Sequence, residues 1–176
     1  MQITVTKLEE AGYEAAMLGL SLNKNQPIDK MSTVANNLSD KDYGHNKFLE
    51  HIYVWLLIDA PRYFWVDADT YRLSSKQSES STTVLSKELT VNNFEDKYVL
   101  PETLKIINFC INSKNYLEVK KIIPEGWMQK REWCLNYKTL SNIIIQRKHH
   151  KLPHWPEFIK QTVSQLDHPE LLEKRL

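Results

Sequence analysis

Apolar and polar residues alternate over 2–7 (QITVTK), a period of two that predicts a short strand. Ala, Leu and Glu dominate 8–23, which predicts a helix. A second helix is expected to run to Leu38 with Asp29 as its cap, followed by a polar turn over 39–44. HIYVWLLI at 51–58 is β-branched and aromatic and predicts a buried strand. Pro61 has no N–H to lose in a first helical turn, so a helix is predicted from there to about Arg72. Residues 74–83 (SSKQSESSTT) are small and polar and read as a loop or a disordered patch. Over 100–123 the pattern is helical, with Leu104, Ile107 and Ile111 on one face and Pro124 and Gly126 ending it. Further helices are predicted over 136–147 and 155–166, separated by KHHKLPH. The whole is an α+β pattern with a helical C-terminal half and no internal repeat.

Size and composition narrow this picture. The chain has 176 residues and 41% apolar residues, a one-domain length (1–176) with bulk for a core. Net charge is +1 and the cations are spread along the chain, so neither a long nucleic acid nor a membrane is an expected partner. No apolar run approaches the ~20 residues of a membrane span, and the N-terminus lacks the basic-then-apolar pattern of a signal peptide. Cys110 and Cys134 form no CxxC pair and are expected to be buried thiols in a reducing, cytoplasmic compartment. Four glycines cannot build a glycine-rich phosphate loop.

The chemistry-bearing residues lie between 44 and 159. His45, Glu50, His51, Ala60 and Pro61 are followed by Arg72, Ser75, Gln77 and Ser80. Lys120 opens KKIIP, and Asn136, Lys138, Leu140, Asn142 and Arg147 punctuate NYKTLSNIIIQR, with Trp155 beyond. In this order and spacing they resemble the flavin-dependent thymidylate synthases. That family reads His-x-x-x-Phe-Glu-His, a strand, Ala-Pro, a helix, then Arg-His-Arg-x-x-Ser-x-Asn/Gln-x-x-Ser-x-Arg. Its later blocks are Ala-Arg-x-x-Leu-Pro and Asn-x-Arg-x-Leu-x-Asn-x-x-x-x-Arg.

The resemblance implies a central, mainly antiparallel sheet flanked by helices, and a homotetramer that builds each site from several subunits. It implies FAD as cofactor and a folate donor, with His45 beside the flavin and Ser80 at the nucleotide as the catalytic candidates. Asp67, Arg72, Gln77, Ser80, Lys120 and Arg147 are the implied substrate-binding positions. His45, Arg72, Asn136, Lys138 and Asn142 are the implied cofactor-binding ones. The implied activity is methylation of dUMP or a related one-carbon transfer; the alternative is a non-catalytic nucleotide binder or interaction protein on the same fold.

The departures matter. Thr70 and Tyr71 replace the Arg and His of the triplet, Thr82 replaces the last Arg, Asp67 replaces a Gln and Ser78 a Glu. A charge-assisted contact is worth roughly 1.5–3 kcal/mol, so these losses should weaken flavin and phosphate binding unless Lys76, Lys120, Lys138 or Arg147 compensates. Asp67 and Asp69 suit a ligand with exposed N–H donors, such as an amino-bearing base. His149, His150 and His154 lack a zinc spacing and are expected in a solvated loop, with no metal. The serines of 74–86 form no nucleophile elbow.

Overall fold

The computed structural model describes residues 3–176. Four antiparallel strands form one sheet in the order β1-β2-β4-β3: β1 (Thr4–Ala11), β2 (Tyr53–Pro61), β3 (Ser74–Ser78) and β4 (Met128–Asn136). The helices are α1 (Tyr13–Lys24), α2 (Met31–Leu38), α3 (Arg62–Ala68), α4 (Ser81–Val84), α5 (Pro101–Asn112), α6 (Tyr116–Ile122), α7 (Tyr137–Arg147), α8 (His154–Val163) and α9 (Glu170–Glu173). The expected α+β class with a central antiparallel sheet is what forms.

The period-two pattern decides which face of the sheet is buried. Val54, Leu56, Ile58 and Ala60 of β2 point inward beside Trp133 and Leu135 of β4, all fully buried. They pack on Phe64, Trp65, Leu140, Ile143, Ile144, Trp155 and Phe158 from α3, α7 and α8. The other face carries Tyr53 and Leu57, 40% and 41% exposed, with half-buried Trp55 and Cys134. The connection from β3 to β4 builds a second apolar cluster around Leu89, Phe94, Ile107, Ile111 and Trp127. Arg62 N–H donates to Trp127 O at 2.9 Å, tying the two clusters together. A polar knot reinforces the tie. Tyr63 donates to Glu95 at 2.6 Å, and His154 Nε2 lies 2.7 Å from the other Glu95 oxygen.

Several boundaries differ from the sequence reading. The predicted first strand begins at Thr4 and runs on to Ala11, and its Gln2 lies outside the described residues. Residues 8–11 are therefore strand rather than helix, because β2 offers them partners as far as Ala11↔Tyr53. Gly12, at φ +99°, makes the turn into α1. Asp29 caps nothing; it sits in a 3₁₀ turn, Ile28–Lys30, that leads into α2. Pro61 ends β2 and caps α3, which stops at Ala68 and not near Arg72. Residues 74–83 are not one loop or disordered patch: 74–78 form an edge strand, where one side needs no apolar residues, and after the two-residue link 79–80 Ser80 caps α4. The helix predicted over 100–123 breaks at Lys114, φ +56°, into α5 and α6. The sequence reading missed β4 altogether, since Lys130, Arg131 and Glu132 interrupt its apolar pattern. Cys110 and Cys134 are free and only half-buried.

Candidate functional site

Three strands bring their termini together at one end of the sheet. Tyr53 opens β2 opposite Asn136, and Ser74 opens β3 opposite Leu135. A cavity of about 470 Å³ lies there, lined among others by Glu50, Ser74, Ser75, Asn136, Lys138 and Asn142. Asn136 at the cap of α7 and Lys138 and Asn142 within it, all expected to face a cofactor, thus share one cavity. Asn136 also serves the fold, since its side chain accepts from Thr139 N–H at 2.8 Å and caps α7. Lys138 donates to Asn46 at 2.6 Å and lies 3.5 Å from Asp42, which fixes its ammonium at the α7 N-terminal turn. The Asn142 side chain makes no hydrogen bond among the described residues. Glu50, quoted in the motif yet assigned no role, lines the same cavity.

His45 is exposed and lines a different cavity of about 480 Å³, with Gly19, Leu20, Phe48 and His51. Glycine at 44, φ +88°, turns the chain beside it. Lys120 is on α6 and faces a smaller cavity of about 190 Å³ with Arg62, Ser81, Trp127 and Gln129. Trp127 is 2% exposed, and its indole N–H has no acceptor among the described residues. Trp127 thus brings an unused buried donor to a cavity that Arg62, itself 3.5 Å from Glu125, and Lys120 also line. Arg62 was not among the expected site residues; its position directly after Pro61 at the start of a helix was the available signal. Ser80 is the exposed cap of α4, accepting from Thr83 N–H at 3.3 Å. Gln77 is exposed on β3 opposite Glu132, and Arg72 is exposed with no partner among the described residues.

Arg147 and Asp67, both expected at the substrate, are paired with one another. Arg147 Nη1 lies 3.4 Å from Asp67 Oδ2, and Trp155 Nε1 donates to the same oxygen at 3.3 Å. Arg147 Nε donates to the Tyr71 hydroxyl at 3.0 Å, Nη1 meets His150 Nε2 at 2.7 Å, and the guanidinium lies 4.9 Å over the Trp155 ring. Asp69 is engaged as well, 3.2 Å from Arg131 and 3.6 Å from Lys76. Burial lowers the Lys76 pKa against the pull of Asp69. Both carboxylates thus have cationic partners, Asp69 in Lys76 and Arg131 and Asp67 in Arg147. The expectation for His154 is corrected. It is 3% exposed at the start of α8, not solvated, while His150 is half-buried against Arg147. No cluster of potential metal ligands occurs among the described residues. Nor is any described helix long and apolar enough to cross a membrane.

No family model matches the chain, and no curated protein matches it in sequence. Solved structures do match. Thymidylate synthase X from Helicobacter pylori, solved with FAD and dUMP, is similar with a TM-score of 0.77 at 16% identity, over 98% of this chain and 99% of that one. A second complex of the Helicobacter pylori enzyme with FAD and dUMP gives 0.74. A UMP/dUMP methylase, PolB, from Streptomyces cacaoi bound with 5-Br dUMP gives 0.71 at 11% identity, over 93% and 89% of the two chains. Near-complete overlap at these TM-scores shows the architecture: the chain has the fold of the flavin-dependent thymidylate synthase X.

Proposed function

We propose that this protein binds a pyrimidine nucleotide at sites formed between subunits of a homotetramer. The observation that carries the reading is an end-to-end likeness to enzymes solved with FAD and dUMP. The clustering of motif-matching polar residues around separate cavities agrees with it. Arg62, Lys120 and the unused Trp127 N–H supply the cationic and donor groups a phosphate requires. The open sheet face, with Tyr53, Trp55 and Leu57, supplies apolar surface for a neighbouring subunit. Asn136, Lys138 and Asn142 are the groups that would hold a flavin, and a bound flavin would supply hydride chemistry. Glu50 of the same cavity would accept a hydrogen bond, and His45, in its own cavity, would orient a folate donor.

A second reading, a nucleotide binder without catalysis, is favoured by one observation. Tyr71, at the motif's His position, is packed against Trp133 and Trp155 and bonded to Arg147, so it is committed to the fold. Flavin affinity is therefore expected to be weak. Calorimetry with dUMP, dCMP and FAD, together with light scattering, tests both readings. Micromolar nucleotide binding by a tetramer supports the proposal, and a monomer that binds no nucleotide removes it. A stoichiometric flavin absorbance in the purified protein would remove the second reading. Arg147→Lys keeps the charge but loses the fork that bonds Tyr71, Asp67 and His150, so it is expected to weaken nucleotide binding at least tenfold and to lower stability as well, which thermal denaturation of the variant measures.

A further inference from the structure

Asp67 presents only one of its two carboxylate oxygens outward. Oδ2 is held by Arg147 Nη1 and by the indole N–H of Trp155. Oδ1 has no partner among the described residues, on a side chain that keeps 33% exposure. Arg147 is constrained in the same way, with Nε on Tyr71 and Nη1 shared between Asp67 and His150. Its Nη2 has no partner among the described residues. Arginine can only donate, and an ionised carboxylate can only accept. The pair therefore leaves over the two N–H bonds of Nη2 as donors and Oδ1 as an acceptor. Asp69 offers no comparable group, because Arg131 reaches both its oxygens, at 3.4 and 3.2 Å, and Lys76 stands by.

Resting on the nucleotide-binding reading above, we infer that Asp67 makes this site selective for a cytosine nucleotide over a uracil nucleotide. Cytosine carries a 4-amino donor beside the N3 and O2 acceptors. Asp67 Oδ1 takes the amine and Arg147 Nη2 donates to the ring acceptors. Uracil can give its N3–H to a carboxylate, but that N–H is flanked by two carbonyl oxygens. Arg147 covers one of them, and the other faces the negative charge of Asp67. A polar group that the bound ligand leaves unpaired is what discriminates most strongly between near-identical ligands.

The anchoring of Oδ2 makes the inference sharp. Two N–H donors point at that position, so whatever side chain stands at 67 must place an acceptor there. In Asp67→Asn the amide oxygen takes the inward place and the NH₂ turns outward. The outward group then changes from acceptor to donor, which fits uracil O4 and opposes the cytosine amine.

Calorimetric titration of the parent and of Asp67→Asn with dCMP, dUMP, dTMP and dAMP tests this, with thermal denaturation confirming that the variant is folded. The parent is expected to bind dCMP at least tenfold tighter than dUMP, and the variant to reverse that order. Equal or tighter dUMP binding by the parent overturns the inference while leaving nucleotide binding intact. So does dAMP as the tightest ligand, or a folded variant that keeps the parent's order. A parent that binds none of the four at millimolar concentration overturns the inference together with the reading beneath it.

Discussion

Gly12 joins β1 to α1 at φ +99°, and nothing but glycine fits there. A Cβ built on it would fall far inside van der Waals contact distance of the His51 carbonyl oxygen and 3.1 Å from its carbon. Both are backbone atoms, so no side chain can swing aside. Gly12→Ala would store roughly 1–3 kcal/mol of backbone strain. Separating the chain from residue 51 would also loosen the last β1–β2 pairs, Ala11↔Tyr53 and Glu10↔Val54, at about 1 kcal/mol per hydrogen bond. The expected loss is about 3–5 kcal/mol, a fall in Tm of roughly 6–20 °C for a chain of this size. Gly19→Ala is the matched control. It lies on exposed α1 surface with no atom within 4 Å of the new Cβ, and should stabilise by about 0.5–1 kcal/mol through helix propensity. Circular-dichroism melts of the two variants give the measurement. A fall of less than roughly 3 °C for Gly12→Ala, or the same shift in both variants, would refute the strand-to-helix joint described here.

Two further predictions concern hydrogen bonding and pH. Tyr137 is fully buried and donates to Glu10 at 2.6 Å, and Glu10 is itself only 3% exposed. Tyr137→Phe is expected to cost about 1.5–3 kcal/mol in urea unfolding, and a cost below 0.5 kcal/mol (roughly the surface-substitution range) would mean the bond contributes nothing. Burial raises the Asp59 pKa, with Glu79 adding to the rise and Lys130 opposing it. A carboxyl whose folded pKa is raised contributes stability below its unfolded pKa and loses it as pH rises through the folded value. Asp59→Asn should therefore raise Tm near neutral pH, by an amount that shrinks on acidification towards the ordinary carboxylate range; a gain independent of pH would contradict the cause.

The parts of the fold legible in the sequence are those where local pattern and tertiary demand agree. β2 reads as a strand because its apolar positions are buried on one face and aromatic on the other. The α7 and α8 helices read correctly for the same reason. β3 and β4 did not read, and their causes differ. β3 is an edge strand whose polar residues need no apolar partner outside the sheet. β4 is central, but Arg131 reaches over the Trp65 ring at 4.8 Å, so an inward charge is tolerated where pattern alone expects an apolar residue. The site was legible in part. Spacing grouped Asn136, Lys138 and Asn142, which do share a cavity. Spacing could not reveal that Asp67 and Arg147, eighty positions apart, would meet.

That meeting changes how the motif departures should be read. Taken singly, Asp67 and Tyr71 look like losses of ligand contacts. In the fold they interlock, because Tyr71 accepts from Arg147, donates to Gln146 at 3.0 Å, and packs on Trp133 and Trp155. Asp67 receives Arg147 and Trp155 from the other side. Thr70 is outside this set: it is exposed and bonds only to Asp67 O, at 2.7 Å. Restoring the motif residue should therefore have opposite consequences at neighbouring positions. Thr70→Arg is expected to leave Tm within about 2 °C of the parent, as surface substitutions do. Tyr71→His removes the phenol that bridges Arg147 to Gln146 and much of the ring contact, and should cost roughly 1–3 kcal/mol. It should also fail to raise flavin affinity in a fluorescence titration, since the imidazole would enter a position already turned towards the core. A Tyr71→His variant as stable as the parent that binds flavin tightly would show instead that residue 71 still belongs to a cofactor site.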